Sequence, residues 1–191
     1  MNKNRLEAFS DGVLAIIITI MVLEIKMPHG TSWEAIKTVL PSLGSYVLSF
    51  LFIGSYWGNH HHLLHTLQKV NGKIIWANLH LLFWLSLVPL GTAWMADNNF
   101  DSVSVAIYGA LLVACGLAFA LLSSIIGRSQ RSESELSRAL EKSKLKIAIS
   151  SVLYISSIPL AFVHPLISCA IFAIVAVMWI IPNKDVEKAL S

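Results

Sequence analysis

The residues best able to bind ions or take part in a reaction are polar and ionisable side chains that interrupt long apolar runs. Near the N-terminus, Arg5 precedes such a run, and Ser10 and Asp11 lie within it. Asp11 comes six residues after Arg5, which is about 9 Å along a helix. An ionised carboxylate at that depth in a bilayer is costly and needs a polar partner or water. Asp11 is therefore expected to pin neighbouring helices together, a role that also allows it a part in gating.

A histidine cluster is the second candidate for chemistry, and it contains His60, His61, His62 and His65. His61 and His65 are four residues apart, a helical spacing that can hold zinc. Membrane di-iron enzymes need several such clusters with acidic residues, and this sequence has one. We therefore interpret the cluster as interfacial histidines and keep His61 and His65 as weak zinc candidates. A membrane metalloenzyme using residues 60–65 is the less favoured alternative, which stoichiometric iron in the purified protein would support.

The elements that position these residues follow from composition. The chain has 191 residues, of which 55% are hydrophobic and 13% charged, and its mean hydropathy is +0.68. Soluble domains carry about a quarter charged residues, so the composition indicates a bilayer as the solvent. A transmembrane helix needs about 20 apolar residues. The predicted spans are residues 6–25, 35–57, 74–95, 103–126, 147–163 and 165–181. The sequence thus predicts an all-α integral membrane protein forming one six-helix domain, residues 1–191.

The distribution of basic residues predicts the orientation. With the N-terminus inside, all of the 14 lysines and arginines except Lys26 and Lys37 lie on the inner side. The positive-inside rule then puts both termini of this multi-pass protein in the cytoplasm, with the chain in the cell (inner) membrane. The polar connection 127–146, which carries alternating charge, is predicted to be a cytoplasmic linker that extends the fourth and fifth helices.

The first helix is predicted to have two different faces. Ser10 and Asp11 share the inner layer with Asn78 and His80 of the third helix, so we predict a hydrogen-bonded network there, closed by Arg5. The other face carries an apolar stripe about 140° from Asp11. This stripe consists of Ile16, Ile20 and Leu23, with Thr19 at its margin. Periodicity alone leaves open whether it faces lipid, a packing partner or a pore.

Several short motifs in the chain resemble those of a known protein family. The motif Arg5-x-x-x-Phe9-Ser10-Asp11 opens the first helix, which ends with Leu23-Glu24-Ile25-Lys26. Weaker matches are Trp57-x-x-His60-His61, Trp76-x-Asn78 and Ser86-Leu87-x-Pro89. Together with the six-helix plan, they resemble the prokaryotic transmembrane protein 175 family, the single-repeat relatives of the lysosomal potassium channels.

The resemblance implies a specific architecture and function. Such proteins assemble as homotetramers, and the first helices of four subunits line a central pore with bulky apolar residues at the constriction. That role is implied for Ile16, Ile20 and Leu23, whereas Arg5, Phe9, Ser10 and Asp11 belong to the motif that holds the helix in place. The implied partners are other copies of the chain, membrane lipid and monovalent cations, with K⁺ as the permeant ion.

The sequence also indicates how the channel would select ions and how far it supports an enzyme or a transporter instead. It contains no Thr-Val-Gly-Tyr-Gly filter, and a ring of Ile16 side chains offers no oxygen ligands. K⁺ sheds water more readily than Na⁺, so such a ring would favour K⁺ modestly, and Thr19 hydroxyls would ease dehydration. No nucleotide-binding or other cofactor motif is present, so we expect neither an enzyme nor a cofactor. A secondary cation or proton transporter is the alternative, although the two halves show no inverted repeat.

Overall fold

The computed structural model describes residues 2–67, 69–129 and 135–180, and for residue 129 and residues 135–144 it describes the backbone only. This part of the chain is helical, with short connections. The helices are α1 (Lys3–Leu23), α2 (Trp33–Lys37), α3 (Leu40–His65), α4 (Gly72–Ser86), α5 (Val88–Asp97), α6 (Ser102–Ser129), α7 (Glu135–Ala161) and α8 (Pro165–Ile180).

The helices group into six apolar segments that correspond to the six predicted spans. Within the described residues, four segments are long and apolar enough to cross a membrane. They are Lys3–Leu23, Trp33–His65, Gly72–Asp97 and Ser102–Arg128. Two shorter apolar helices follow, Leu145–Ala161 and Pro165–Ile180. Residue 181, the end of the last predicted span, lies outside the described residues, as do residues 130–134 of the predicted linker.

Two of the predicted spans differ from the observed helices. The second apolar span was predicted to end at Trp57, with residues 59–62 finishing the helix. Helix α3 continues to His65, so the whole histidine cluster is helical. The third was predicted as one helix, but Leu87 both ends α4 and precedes α5. Pro89 supplies the physical reason, because proline has no N–H for the helical bond to the carbonyl four residues earlier. Pro159, by contrast, lies inside α7 close to its end at Ala161.

The bundle is organised around α6, which packs against α4, α5, α7 and α8. Tyr108 of α6 lies in the core, where Ser49 and Tyr108 share a hydrogen bond of 2.8 Å, and Ser49 is 2.7 Å from Thr92 of α5. The α7–α8 hairpin turns at His164 and is fixed by Ser168, whose hydroxyl donates to the Ser157 carbonyl at 2.6 Å. Buried hydroxyls thus join helices whose contact surfaces are otherwise apolar.

Candidate functional site: the first helix and its polar contacts

Helix α1 begins with a side-chain cap and buries one continuous face. Asn2 precedes the helix, and its side-chain oxygen accepts a hydrogen bond from the Arg5 backbone N–H at 3.0 Å. The buried face repeats at about one helical turn, as expected for a helix packed on one side. It consists of Leu6, Ser10, Leu14, Ile17 and Met21. This face packs against α3, α4 and α5.

The opposite face of α1 is the predicted apolar stripe, which the described residues of the subunit leave exposed. The exposed fractions are 58% for Ile16, 41% for Ile20 and 79% for Leu23. Thr19 is also exposed, and its hydroxyl lies 3.1 Å from the Ala15 carbonyl and 2.9 Å from the Ile16 carbonyl. The stripe therefore needs lipid or another protein surface to cover it, because exposed apolar side chains in this number are unfavourable in water.

A buried chain of hydrogen bonds joins α1 to α4 and α3. The Asn78 side-chain amide donates to the Ser10 hydroxyl at 2.9 Å, and the Ser10 hydroxyl donates to the Leu6 carbonyl at 2.8 Å. The Asn78 oxygen lies 2.6 Å from Nε2 of His60. Ser10, Asn78 and His60 are all essentially inaccessible, with exposed fractions of 0 to 1%. The predicted contact between Ser10 and Asn78 is present, and His60 is a member that the sequence prediction missed.

Asp11 and His80 do not join this chain of hydrogen bonds. Asp11 is one residue after Ser10, so it turns toward α3, where Trp57 Nε1–H donates to its carboxylate at 3.0 Å. His80 is two residues after Asn78, about 200° around α4, and is therefore exposed on the other face. Its Nε2 accepts a hydrogen bond from Trp84 at 3.3 Å. The helical period therefore explains why Asp11 and His80, although predicted at the same depth as Ser10 and Asn78, point away from that pair and bond to tryptophans instead.

Arg5 and Phe9 lie on the exposed side of α1. Phe9 is 51% exposed, and Arg5 is exposed as well. Within the described residues, the Arg5 side chain makes no hydrogen bond to Asp11, Ser10 or Asn78, so it does not close the network inside one subunit. Lys3 supplies the contact at this end of the helix, since its ammonium donates to the His65 carbonyl at the end of α3 at 2.7 Å.

The histidine cluster is tied to α1 by a carboxylate. Nδ1 of His61 lies 2.8 Å from Oε1 of Glu7, and the His61 and His65 rings lie at a centroid distance of 5.5 Å with their planes tilted by 59°. No group of three or more histidine, cysteine, aspartate or glutamate side chains in the described ranges is arranged to hold a metal ion. The cluster therefore serves first as a polar contact between α3 and the N-terminal end of α1.

The far end of α1 is held by an exposed ion pair. Lys26, three residues past the helix, donates to Asp97 at the end of α5 at 2.8 Å. This hydrogen bond and the negative charge of Asp97 raise the pKa of Lys26. The contact is highly exposed on both sides, so added salt screens it.

Trp57→Phe isolates the contact between α3 and Asp11. Phenylalanine keeps an aromatic ring but cannot donate to the carboxylate. Because polar contacts in membrane proteins contribute about 0.6 kcal/mol each, we expect a small loss of thermal stability in detergent, of roughly 0.5–1 kcal/mol. Trp76→Phe is the matched control, since Trp76 is 74% exposed and makes no side-chain hydrogen bond within the described residues. Equal melting temperatures for the two variants would show that the Trp57–Asp11 bond contributes nothing.

Comparison with known proteins places this geometry in a family. The family model described as endosomal/lysosomal potassium channel TMEM175 matches residues 5–89, which include the motif on α1 and the Asn78 contact. A potassium channel of Chryseobacterium sp. is 49% identical over 191 residues, covering 100% of this chain and 99% of that protein. A potassium channel of Streptomyces collinus is 34% identical over 193 residues, covering 94% and 92% of the two chains.

A solved structure has the same fold. The crystal structure of a lysosomal potassium-selective channel TMEM175 homologue from Chamaesiphon minutus superposes with a TM-score of 0.78, at 24% sequence identity, covering 93% of this chain and 96% of that one. The predicted all-α fold of a multi-pass membrane protein is confirmed by this match. The sequence relatives confirm the resemblance and the prediction of an ion channel rather than an enzyme. The chain belongs to the TMEM175 family of ion channels.

Proposed function

We propose that the protein is one subunit of a homotetrameric, potassium-permeable channel whose central pore is lined by α1. Two relatives that cover nearly all of the chain are named potassium channels, which supports K⁺ as the permeant ion. The channel needs no cofactor, and its partners are three further copies, membrane lipid and monovalent cations.

The observation that carries the proposal is the two-faced character of α1. One face is packed on the subunit through Leu6, Leu14, Ile17 and Met21 and through the buried Ser10 bond to Asn78. The other face presents Ile16, Ile20 and Leu23 along one line, and the described residues of the same subunit leave these side chains exposed. When four such helices meet around an axis, these side chains form stacked apolar rings. Each ring narrows and dries the path when the helices approach, which is how a hydrophobic constriction closes a channel.

Selectivity follows from the chemistry of these rings. Ile16 and Ile20 offer no oxygen atom to replace the water that an ion loses. K⁺ holds its hydration shell less tightly than Na⁺, so it passes an apolar ring at lower cost. Thr19 lies between the two rings, but its hydroxyl is already bonded to carbonyls of its own helix. Thr19 therefore presents an oxygen lone pair that softens the dehydration cost.

The proposed topology places the channel in the cell (inner) membrane with both termini in the cytoplasm. The positive-inside rule supports this orientation, because the outer side carries only Lys26 and Lys37 among the basic residues. Lys26 pairs with Asp97 and Lys37 pairs with Glu34, both at 2.8 Å, so both outer cations are next to carboxylates. The linker 127–146 then lies in the cytoplasm, with α6 reaching Ser129 and α7 starting at Glu135.

Current recordings from the purified protein in planar bilayers test the proposal. With K⁺ on one side and Na⁺ on the other, we expect discrete single-channel steps and a reversal potential displaced in the direction that K⁺ preference requires. A secondary transporter would instead show saturable, coupled flux without unitary steps. A reversal potential of zero under the same gradient would contradict potassium preference.

A further inference from the structure

The lysines at the two ends of the helix bundle have different surroundings. At the end where α1 finishes, Lys26 and Lys37 each lie 2.8 Å from a carboxylate oxygen. At the opposite end, Lys69 and Lys73 are exposed, and neither makes an ion pair or a hydrogen bond with a described residue. The sequence of α3, α4 and the connection between them contains no acidic residue. These two lysines therefore have no counter-charge on their own elements.

Helices α1 and α4 run parallel, and their contacts fix the depth of Lys73. Ser10 and Asn78, both near the start of their helices, are joined by a hydrogen bond of 2.9 Å. The bond between Lys26 and Asp97 joins the same two parts of the chain at the far end. Lys73 lies five residues before Asn78, about 7.5 Å along the axis toward the end where both helices begin. Its ammonium group is therefore at the edge of the apolar bundle, where lipid headgroups lie.

The acidic side chains of α1 at this end already have partners. Glu7 lies 2.8 Å from a histidine ring nitrogen, and Asp11 accepts a hydrogen bond from a tryptophan. Lys3 adds a third ammonium group, which donates to the backbone carbonyl at the end of α3 and not to a carboxylate. The described residues at this end of the bundle thus present unbalanced positive charge.

The outward face of α4 changes in character along its length. Exposed positions recur every three or four residues, so they form one strip, which consists of Lys73, Trp76, His80 and Phe83. Trp76 is 74% exposed and Phe83 is 55% exposed. Tryptophan is enriched where headgroups meet acyl chains, and an apolar ring suits the acyl chains themselves. The strip therefore passes from a cation through an interfacial ring to an apolar ring.

This order of groups selects a phospholipid with a negatively charged headgroup. A soluble anion would neutralise the lysines but would leave Trp76 and Phe83 uncovered. A zwitterionic phospholipid would cover the strip without a net charge to attract the lysines. A basic residue close to an anionic bilayer surface increases binding by about fivefold. An anionic phospholipid satisfies both the cations and the apolar part of the strip.

We infer that Lys69, Lys73 and Trp76 form a binding site for an anionic phospholipid. The two ammonium groups bind the phosphate oxygens, the Trp76 ring lies beside the glycerol, and an acyl chain runs along Phe83. The assignment of this lipid to the cytoplasmic leaflet rests on the proposed topology. The binding itself depends neither on that topology nor on which ion the channel conducts.

Quenching of tryptophan fluorescence by brominated lipids tests this inference. The full-length protein is reconstituted into symmetric vesicles of phosphatidylcholine and phosphatidylglycerol, in which one of the two lipids carries bromine on its acyl chains. The protein has six tryptophans, so the Trp76 signal is the difference between the wild type and Trp76→Phe. We expect this signal to show a preference for phosphatidylglycerol over phosphatidylcholine of at least about fivefold.

Lys69→Gln combined with Lys73→Gln removes both charges and keeps side chains of similar length. Measured against its own Trp76→Phe counterpart, this double variant should bind the two lipids nearly equally. Lys37→Gln is the matched control, because it removes an equally exposed lysine that is paired with Glu34 at the other end of the bundle. It should keep the preference of the wild type. High salt should lower the wild-type preference, because it screens exposed charges.

Three results would overturn the inference. Two are equal quenching of Trp76 by both lipids in the wild type and an unchanged preference in the lysine double variant. The third is a Trp76 signal that neither brominated lipid quenches, which would show that a second copy of the chain covers the strip. Bilayer recordings measure conduction separately, so K⁺ current from a protein without lipid preference would reject the lipid site and leave the proposed channel intact.

Discussion

Replacing Ile16 by asparagine is expected to bring the K⁺ to Na⁺ permeability ratio of the channel close to one and to raise its leak current by about tenfold. Ile16 is 58% exposed on the free face of α1, where the proposed pore lies. Asparagine has nearly the same reach but supplies amide groups that replace lost water for either ion. A tenfold change in leak corresponds to a barrier lowered by about 1.4 kcal/mol. Reversal potentials and closed-state currents in bilayers measure both effects.

The matched control for this prediction is Ile107→Asn. Ile107 is 47% exposed on α6, so the substitution and the exposure are similar while the helix is different. The control should keep the wild-type reversal potential. Wild-type reversal potentials for Ile16→Asn would show that Ile16 does not face the ion path, and the constriction would have to be formed elsewhere.

Replacing Asn78 by alanine is expected to give the largest loss of stability among single polar substitutions on α4. Asn78 is completely buried between Ser10 and His60. Nδ1 of His60 already has no hydrogen-bond partner in the described residues, and the substitution would leave Nε2 without one as well. An unsatisfied buried group costs about 1–3 kcal/mol, and alternative partners in the membrane reduce this, so we expect about 1–2 kcal/mol. Thermal unfolding of the purified protein measures the change.

Asn4→Ala provides the comparison for Asn78→Ala, because Asn4 is exposed on the first turn of α1. It should leave the free energy of unfolding nearly unchanged. Adding Ser10→Ala to Asn78→Ala completes a double-mutant cycle, and the second substitution should cost less in the absence of Asn78 than in its presence. Fully additive losses would mean that Ser10 and Asn78 do not stabilise each other.

The apolar runs were sufficient to predict the helices because a bilayer demands about 20 apolar residues per span. Pro165 marked the start of α8 correctly, since proline fits the first helical turn. The division at Leu87 was missed because hydropathy does not register a lost hydrogen bond, although Pro89 carried the signal. Helix α3 extends to His65, slightly beyond the predicted end at His62, since the polar histidines end the apolar run without ending the helix.

The contacts of the candidate site were only partly predictable. The depth of each residue along its helix correctly predicted the contact between Ser10 and Asn78. The direction of each side chain around its helix decided the rest, and the period of 3.6 residues already separates Asn78 from His80. The pairing of Asp11 with Trp57 depends on how α1 and α3 are rotated against each other, which is set by packing across the whole bundle. A single sequence carries no signal for that rotation.

The two ends of α1 are fastened with very different strength. At the N-terminal end, the Ser10 bond to Asn78 is completely buried, and Asp11, Glu7 and Lys3 make further bonds to α3. At the other end, the bridge from Lys26 to Asp97 is immersed in solvent. A helix that is held firmly at one end and weakly at the other is expected to move most at the weak end. We therefore expect the largest displacements of α1 near Leu23, and added salt, which screens the Lys26–Asp97 ion pair, should increase them.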